Sequence, residues 1–184
     1  AWAASRGYNR TRTQWTFPSV KTTEEVLTTL RCNGAERRFN HAVANTRPLD
    51  LPPRELPLSP YALGAWLGGG HSASARITTA DPEMVVYLEA EGLRVVPHDG
   101  LLYNLRLPKE GAPPSRNHHG TVQGILRSLG VLGNKHIPRG YLRASEAQRR
   151  SLLAGLLDTD GTVNATGAVQ FGVTSRRLAE DTRE

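Results

Sequence analysis

LLAGLLDTDG (residues 152–161) is an apolar run built around small residues that ends in two acids and a glycine. An earlier stretch, ALGAWLGGG (residues 62–70), repeats this layout but ends in glycines alone. The two stretches align by their glycines, which sets Gly69 opposite Asp160. The aligned pairs are Gly64 with Gly155 and Gly70 with Gly161. One copy therefore carries a carboxylate at a position where the other has only backbone.

Both stretches are predicted to lie on helices that have their own start signals. Ser59 followed by Pro60 is typical of a helix start, with serine at the cap and proline in the first turn. Ser145 and Gln148 form a capping box ahead of the second stretch. Two helices of similar design are therefore expected.

Small side chains on these helices favour a close approach of the two backbones. The residues expected at this contact are Gly64, Gly68, Ala154 and Gly155. If the helices pack side by side, their C-terminal ends meet and acids placed there converge. Two carboxylates with nearby backbone carbonyls form an oxygen-rich Mg²⁺ site, which can support in-line hydrolysis of a phosphodiester. Here Asp160 supplies a carboxylate, whereas Gly69 can offer only its backbone carbonyl.

The sequence around the two helices predicts an α+β unit that starts twice. The first unit is expected to contain a half-buried strand over residues 71–79, a helix ending at Gly92, a hairpin over residues 93–107 and a helix over residues 121–129. A strand pattern returns at residues 168–174, and a segment of mixed charge from Ser175 closes the chain. Because Asp160 lies 91 residues after Gly69, the pattern indicates an internal repeat of a supersecondary unit.

The residues before the first unit are interpreted as an appendage. An irregular basic arm is followed by a capping box at Thr22 and Glu25, which predicts a short helix ending at Asn33-Gly34. A proline-rich, extended link comes next. The predicted organisation is an arm, short helix and link over residues 1–57, a first repeat over residues 58–143 and a truncated second repeat over residues 144–184.

Composition favours a nucleic acid as the partner. The chain has 184 residues and a net charge of +6, and only three of its 23 basic residues are lysines. Arginine suits bidentate contact with phosphates and guanine edges, although a solvated basic surface is the alternative. No apolar run reaches bilayer length, which predicts a cytoplasmic protein without a membrane partner. The single Cys32 excludes an internal disulfide and a cysteine-rich zinc site.

The chain resembles the LAGLIDADG homing endonucleases, in the dodecapeptide form found inside inteins. The resemblance rests on residues 62–70 and 152–161, and on LGVLGNKHIP (residues 129–138), which is similar to the lysine block between the two motifs. The flanking RRFNHAVAN (residues 37–45), PLDLP and LPLSPYALGAWLG are similar to inteins lodged in actinobacterial replicative DNA helicases.

This resemblance implies an αββαββα repeat whose curved antiparallel sheet straddles double-stranded DNA at the inteinless site of the host gene. It implies an intein splicing domain and the host helicase as partners in cis, and Mg²⁺ as the cofactor. Asp160 matches a metal-binding catalytic acid, and Lys135 matches a lysine that assists catalysis by tuning the attacking water. The residues expected to contact DNA are Arg76, Ser72, Ser74, Asn104, Arg106, Gln170 and Arg116.

The chain departs from the family pattern in ways that predict impaired cleavage. Family members carry an aspartate at the position of Gly69, and the second repeat is expected to lack its later elements. Neither Ala1 nor Glu184 offers splicing chemistry, so the polypeptide is not expected to splice unaided.

Asp158, Asp160 and Lys135 also have simpler interpretations. Asp158 and Asp160 could form an ordinary turn after a core helix, and Lys135 could be a surface lysine. The chain could be a non-cleaving DNA-binding or structural insert, or a maturase-like RNA binder.

Overall fold

A computed structural model describes residues 2–3, 19–33, 37–41, 46–108 and 120–184, with residues 2–3 described by backbone only. The chain divides into two compact units, Ala1–Pro48 and Leu49–Glu184. In the described parts of the chain, secondary structure is a mixture of helices with small antiparallel sheets, so the predicted α+β class is correct.

The first unit contains strands β1 (Trp2–Ala3) and β2 (Val20–Lys21), which pair antiparallel, and helix α1 (Thr23–Thr28). The predicted capping box at the start of α1 is confirmed. The predicted end of this helix at Asn33-Gly34 is wrong. The chain instead turns back on itself after α1, since the Cys32 N–H donates to the Arg38 carbonyl at 2.9 Å.

The second unit begins with a helix, a three-stranded sheet and two further helices. The elements are α2 (Pro60–Gly69), β3 (Arg76–Thr78), α3 (Pro82–Ala90), β4 (Arg94–Asp99), β5 (Leu102–Arg106) and α4 (Val122–Ser128). The sheet is antiparallel in the order β3-β5-β4. Ser59 caps α2 as predicted, because its side chain accepts a hydrogen bond from the Ala62 N–H. The predicted hairpin is also present as β4 and β5.

The predicted strand over residues 71–79 is shorter in the structure, where only β3 is extended. Residues 71–75 form a turn, which is closed by a hydrogen bond of 2.9 Å from the His71 N–H to the Arg76 carbonyl. The Trp66 indole N–H also donates to the Ser74 carbonyl at 2.9 Å, and this bond holds the turn against α2. Ala73 is consequently exposed, whereas Ile77 is buried as the alternation predicts.

The remainder of the second unit contains α5 (Arg139–Leu142), α6 (Glu146–Asp160), β6 (Gly161–Val163), β7 (Val169–Phe171) and α7 (Arg176–Arg183). The capping box at the start of α6 is confirmed. The predicted strand over residues 168–174 is reduced to β7, which pairs antiparallel with β6. The charged segment from Ser175 forms a helix, because Ser175 caps α7 and Leu178 is buried.

The backbone continues in a similar way after α2 and after α6. Helix α2 is followed by a bridge between Gly70 and Ile77 and then by α3, while α6 is followed by a pairing of Gly161 with Phe171 and then by α7. The glycines that end α2 and α6 have similar dihedral angles, φ −79° and ψ 154° at Gly70, and φ −91° and ψ 149° at Gly161. The chain therefore leaves α2 and α6 with similar backbone conformations.

The part of the proline-rich link that belongs to the second unit is hydrogen-bonded to side chains of α6. Gln148 accepts from the Arg54 N–H at 3.0 Å and donates to the Arg54 carbonyl at 2.7 Å. Arg149 donates to the Leu49 carbonyl at 2.7 Å. These bonds give the link's backbone the partners that its extended conformation leaves open.

Helix α2 lies at the centre of the core. Leu63, Leu67 and Trp66 are almost completely buried, and Leu156 of α6 packs into the same cluster. A helix that is apolar on nearly every side is expected in the interior of a domain. Helix α6 packs closely against α2, and glycines at this contact leave room for the two backbones.

We expect Gly155→Ala to lower the free energy of unfolding by about 2–3 kcal/mol, because overpacking of a tight contact forces side chains and backbone to move. A Cβ atom at Gly155 would overlap the backbone of Tyr61 and Ala65. Urea unfolding followed by circular dichroism measures this loss. Gly140→Ala in α5 is the matched control, since a Cβ atom there meets open space. Equal unfolding midpoints for the two variants would contradict the close packing of α2 and α6.

Candidate metal and nucleic-acid site

The C-terminal ends of α2 and α6 are brought together by backbone packing between the two helices. A Cβ atom at Gly64 would overlap the backbone of Leu152, so no larger residue fits there without movement. Gly155 meets α2 in the same way. Gly68 lies against the side chain of Thr159, whose hydroxyl donates to the Leu156 carbonyl at 2.9 Å.

The predicted packing residues do not all lie in this contact. Ala154 is exposed, because its neighbour Gly155 occupies the side of α6 that faces α2 and successive helix residues are rotated by about 100°. The prediction for Ala154 was therefore wrong. Thr159 was not predicted to lie in this contact. It aligns with Gly68, and its side chain fills the space beside that glycine.

Gly69 and Asp160 are the last residues of α2 and α6. Each precedes a cap glycine, so the alignment made from the sequence agrees with the observed helix ends. Asp160 is partly buried. Asp158 lies elsewhere on α6 and accepts a hydrogen bond of 2.9 Å from the Tyr61 hydroxyl. Burial, followed by this bond to Asp158, raises the pKa of Tyr61. Only one of the two acids in the motif is thus left at the helix ends.

Lys135 lies at the end of α2. Its ammonium donates to the Gly68 carbonyl at 3.0 Å and to the Gly70 carbonyl at 2.7 Å, and it lies 5.4 Å from the centre of the Trp66 ring. A cation at this position satisfies carbonyls that the helix leaves without partners and complements the negative end of the helix dipole. A solvated surface lysine does not describe this arrangement.

Lys135 and Asp160 influence each other electrostatically. Burial lowers the pKa of Lys135, and the charge of Asp160 opposes this shift. Burial likewise raises the pKa of Asp160, and the charge of Lys135 opposes that shift. In both groups desolvation outweighs the attraction between the charges, so each ionised form is less favourable here than in water.

The oxygen atoms at the ends of α2 and α6 are a poor fit for a firmly held Mg²⁺. Hard divalent cations prefer several oxygen ligands that include carboxylates, and this location offers the Asp160 carboxylate and helix-end carbonyls, two of which already bind Lys135. Across the described residues, no group of three or more His, Cys, Asp or Glu side chains could hold a metal ion.

The residues predicted to contact DNA are only partly brought together. Arg76 and Asn104 are register partners on β3 and β5, and the Arg76 Nε donates to the Asn104 side-chain oxygen at 3.3 Å. Arg106 follows two residues later on β5, where it pairs in register with Arg94 of β4. Arg94 was not among the predicted contacts, although the hairpin alternation could have indicated it.

The other predicted contacts lie away from these strands or outside the described residues. Ser72 and Ser74 are on the turn at residues 71–75, not on a strand. Gln170 is exposed on the separate β6–β7 hairpin. Arg116 lies outside the described residues. The sheet therefore offers one basic face, and Gln170 belongs to a different sheet.

The chain is similar to part of a longer protein. A protein from Mycobacterium intracellulare, named replicative DNA helicase DnaB, is 54% identical over all 184 residues of the chain. The chain spans 28% of the length of that protein. No protein-family model matches. Among the described helices, none combines the length and apolar character required to cross a membrane.

We expect Asp160→Asn to change the pH dependence of stability. Because the folded state raises the pKa of Asp160, the stabilising contribution of its protonated form is present below the unfolded pKa and is lost as pH rises through the folded pKa. The free energy of unfolding of the native chain should therefore fall relative to the variant across this window. Denaturant unfolding of both proteins from about pH 3 to 7, with chelator present, measures the difference. Parallel pH profiles would contradict the desolvation of Asp160.

Proposed function

We propose that the chain is the LAGLIDADG-type homing endonuclease domain of an intein inserted in a replicative DNA helicase. In its present form the domain retains a DNA-binding surface and is impaired in cleavage. The single observation that carries this proposal is the glycine-packed pair α2 and α6, which ends in Asp160 on one side and Gly69 on the other.

The match to a DnaB protein supports the insertion. All 184 residues correspond to 28% of the length of that protein, which is consistent with a segment embedded in a helicase polypeptide. Under this proposal, an intein splicing domain and the host helicase sequences are joined to the chain in cis. The target of DNA binding is the uninterrupted host gene at the point of insertion.

The electrostatics of the helix ends support impaired cleavage. Water-mediated cleavage of a phosphodiester needs stabilisation of the attacking and leaving oxygens, which paired carboxylates provide through bound metals. Gly69 contributes no carboxylate, and Lys135 already occupies two carbonyls at this end of α2. We therefore assign no metal-dependent step to the chain as it stands.

The basic strand face supports retention of DNA binding. Arg76, Arg94 and Arg106 lie on adjacent strands, with the Asn104 amide between them. Guanidinium groups form bidentate contacts with phosphates and with guanine edges, and an amide can contact adenine. These groups lie on the sheet, and their placement does not depend on a carboxylate at position 69.

A non-cleaving DNA-binding or structural insert is the second candidate function. The hydrogen bonds of Lys135 favour it, since an ammonium that caps α2 stabilises the helix pair without any metal. The two functions differ in whether a second carboxylate would create activity.

Gly69→Asp should produce Mg²⁺-dependent cutting of supercoiled DNA that carries the uninterrupted helicase-gene site. The nearest atoms to a Cβ at this position are the Thr159 methyl at 3.2 Å, the Thr159 Cβ at 3.4 Å and the Thr78 carbonyl oxygen at 3.5 Å, so a Cβ atom fits after a small adjustment. Gly69→Asn is the matched control, because it has nearly the same size and lacks the charge. Both variants are made in the full-length polypeptide, and plasmid linearisation is measured.

Cutting by Gly69→Asp and not by Gly69→Asn would support an enzyme that has lost one carboxylate. Absence of cutting in both variants, with DNA binding retained, would favour the non-cleaving insert. Efficient cutting by the unaltered chain would overturn the claim of impairment.

The chain should bind a duplex of the uninterrupted helicase-gene site at least about tenfold more tightly than a random duplex of equal length, because base contacts add to sequence-independent phosphate contacts. Fluorescence anisotropy at one fixed, moderate salt concentration measures both affinities without Mg²⁺. Equal affinities would remove specific recognition from the proposal. A preference for structured RNA would indicate an RNA-binding role instead.

A further inference from the structure

A basic cavity of about 600 Å³ lies where the sheet meets α4. Three arginines from three elements line it, namely Arg76 of β3, Arg106 of β5 and Arg127 of α4. None of the described residues that line the cavity is acidic. No pattern in the sequence connects α4 with the strand residues, because the residues between β5 and α4 do not indicate how the helix returns to the sheet.

The fold orients α4 so that one side of the helix faces this cavity. Val122 and Leu126 are buried in the core, and Thr121 fixes the start of the helix by accepting a hydrogen bond from the Gly124 N–H at 3.0 Å. Gln123 and Arg127 are one helical turn apart, so they lie on the same side of α4, and both line the cavity. The two side chains therefore reach the cavity together.

The arginines of the cavity are poorly compensated within the described part of the chain. Arg106 and Arg127 make no ion pair with the residues that the structure describes. Within the same residues, the Arg76 guanidinium has the neutral Asn104 amide as its hydrogen-bond partner. Three cations around one concavity repel one another, and an anion between them would relieve this repulsion.

We propose that this cavity binds a backbone phosphate of duplex DNA, with Gln123 and Arg127 as DNA contacts additional to those on the strands. The inference rests on the proposed DNA binding and extends it from the sheet to α4. Arginine forks match the geometry of phosphate oxygens, and the neutral donors of Asn104, Ser74 and Gln123 line the same space.

The location of the cavity favours a polymer backbone. It opens beside Arg76 and Asn104, which lie on the strand face proposed to contact DNA. A duplex resting on that face would bring its phosphates toward the side of α4 that carries Gln123 and Arg127. The contact would fix the position of the DNA without reading its sequence.

The test compares Arg127→Gln with Arg177→Gln in the full chain. Arg177 is exposed on α7 and has no ion-pair partner among the described residues, so its substitution removes the same charge at an unrelated position. Affinity for a duplex of the helicase-gene site is measured by fluorescence anisotropy over a range of salt concentrations. We expect Arg127→Gln to weaken binding about threefold to tenfold and to reduce the salt slope by about one, with Arg177→Gln close to the native protein.

The outcomes separate this inference from the proposed function. If Arg127→Gln matches Arg177→Gln while Arg106→Gln weakens binding, the phosphate contact at α4 is wrong and DNA binding stands. If the native protein does not bind duplex DNA, both proposals fall. If Arg127→Gln weakens binding to structured RNA and not to duplex DNA, the ligand is RNA and the proposal is overturned. Circular dichroism and thermal unfolding of each variant establish that the fold is retained.

Discussion

The close backbone packing of α2 against α6 is the constraint on which the rest of the second unit depends. Gly64 and Gly155 allow this approach, because a Cβ atom at either position would overlap backbone atoms of the other helix. The apolar residues around α2 complete the core. Since both helices end at glycines of similar conformation, the same packing also sets the position of Gly69 relative to Asp160. The packing of the core and the placement of Gly69 relative to Asp160 therefore depend on the same contact.

This packing creates an electrostatic problem at the helix ends, and Lys135 reduces it. Two helix C-termini carry partial negative charges, and Asp160 adds a full one. The ammonium of Lys135 binds carbonyls at the end of α2 and acts on Asp160 through its charge. Burial nevertheless disfavours both ionised groups. The positive charge of Lys135 is thus paired with the negative charge of Asp160, both partly buried, and a second carboxylate would add an uncompensated negative charge.

Local signals in the sequence correctly predicted the starts of α1, α2 and α6, because each start depends on a hydrogen bond between residues close together in the chain. Ser59, Ser145 and Thr22 each accept a backbone hydrogen bond at a helix start. The aligned glycines correctly placed Gly69 and Asp160 at equivalent helix ends. The α+β class follows from the alternation of these helices with strand patterns.

Features that depend on distant contacts could not be predicted in the same way. Residues 71–75 have a strand pattern, but the Trp66 indole holds them in a turn. Ala154 was predicted to pack against α2, but Gly155 faces that helix and Ala154 is exposed. The cavity formed with Arg127 depends on how α4 returns to the sheet, and no local pattern encodes that return.

The side chains that position Arg76 and Arg106 are separate from those at the ends of α2 and α6. The pairing of β3 with β5 and the buried side chains of Ile77 and Leu105 position Arg76 and Arg106. A glycine at position 69 leaves these supports unchanged, since it removes only a side chain at the end of α2. Under the proposed function, a missing carboxylate at position 69 would therefore impair cleavage without weakening the fold or the arginine face. The proposed binding and the proposed cutting would depend on different contacts, so a domain with this arrangement could lose cutting and keep binding.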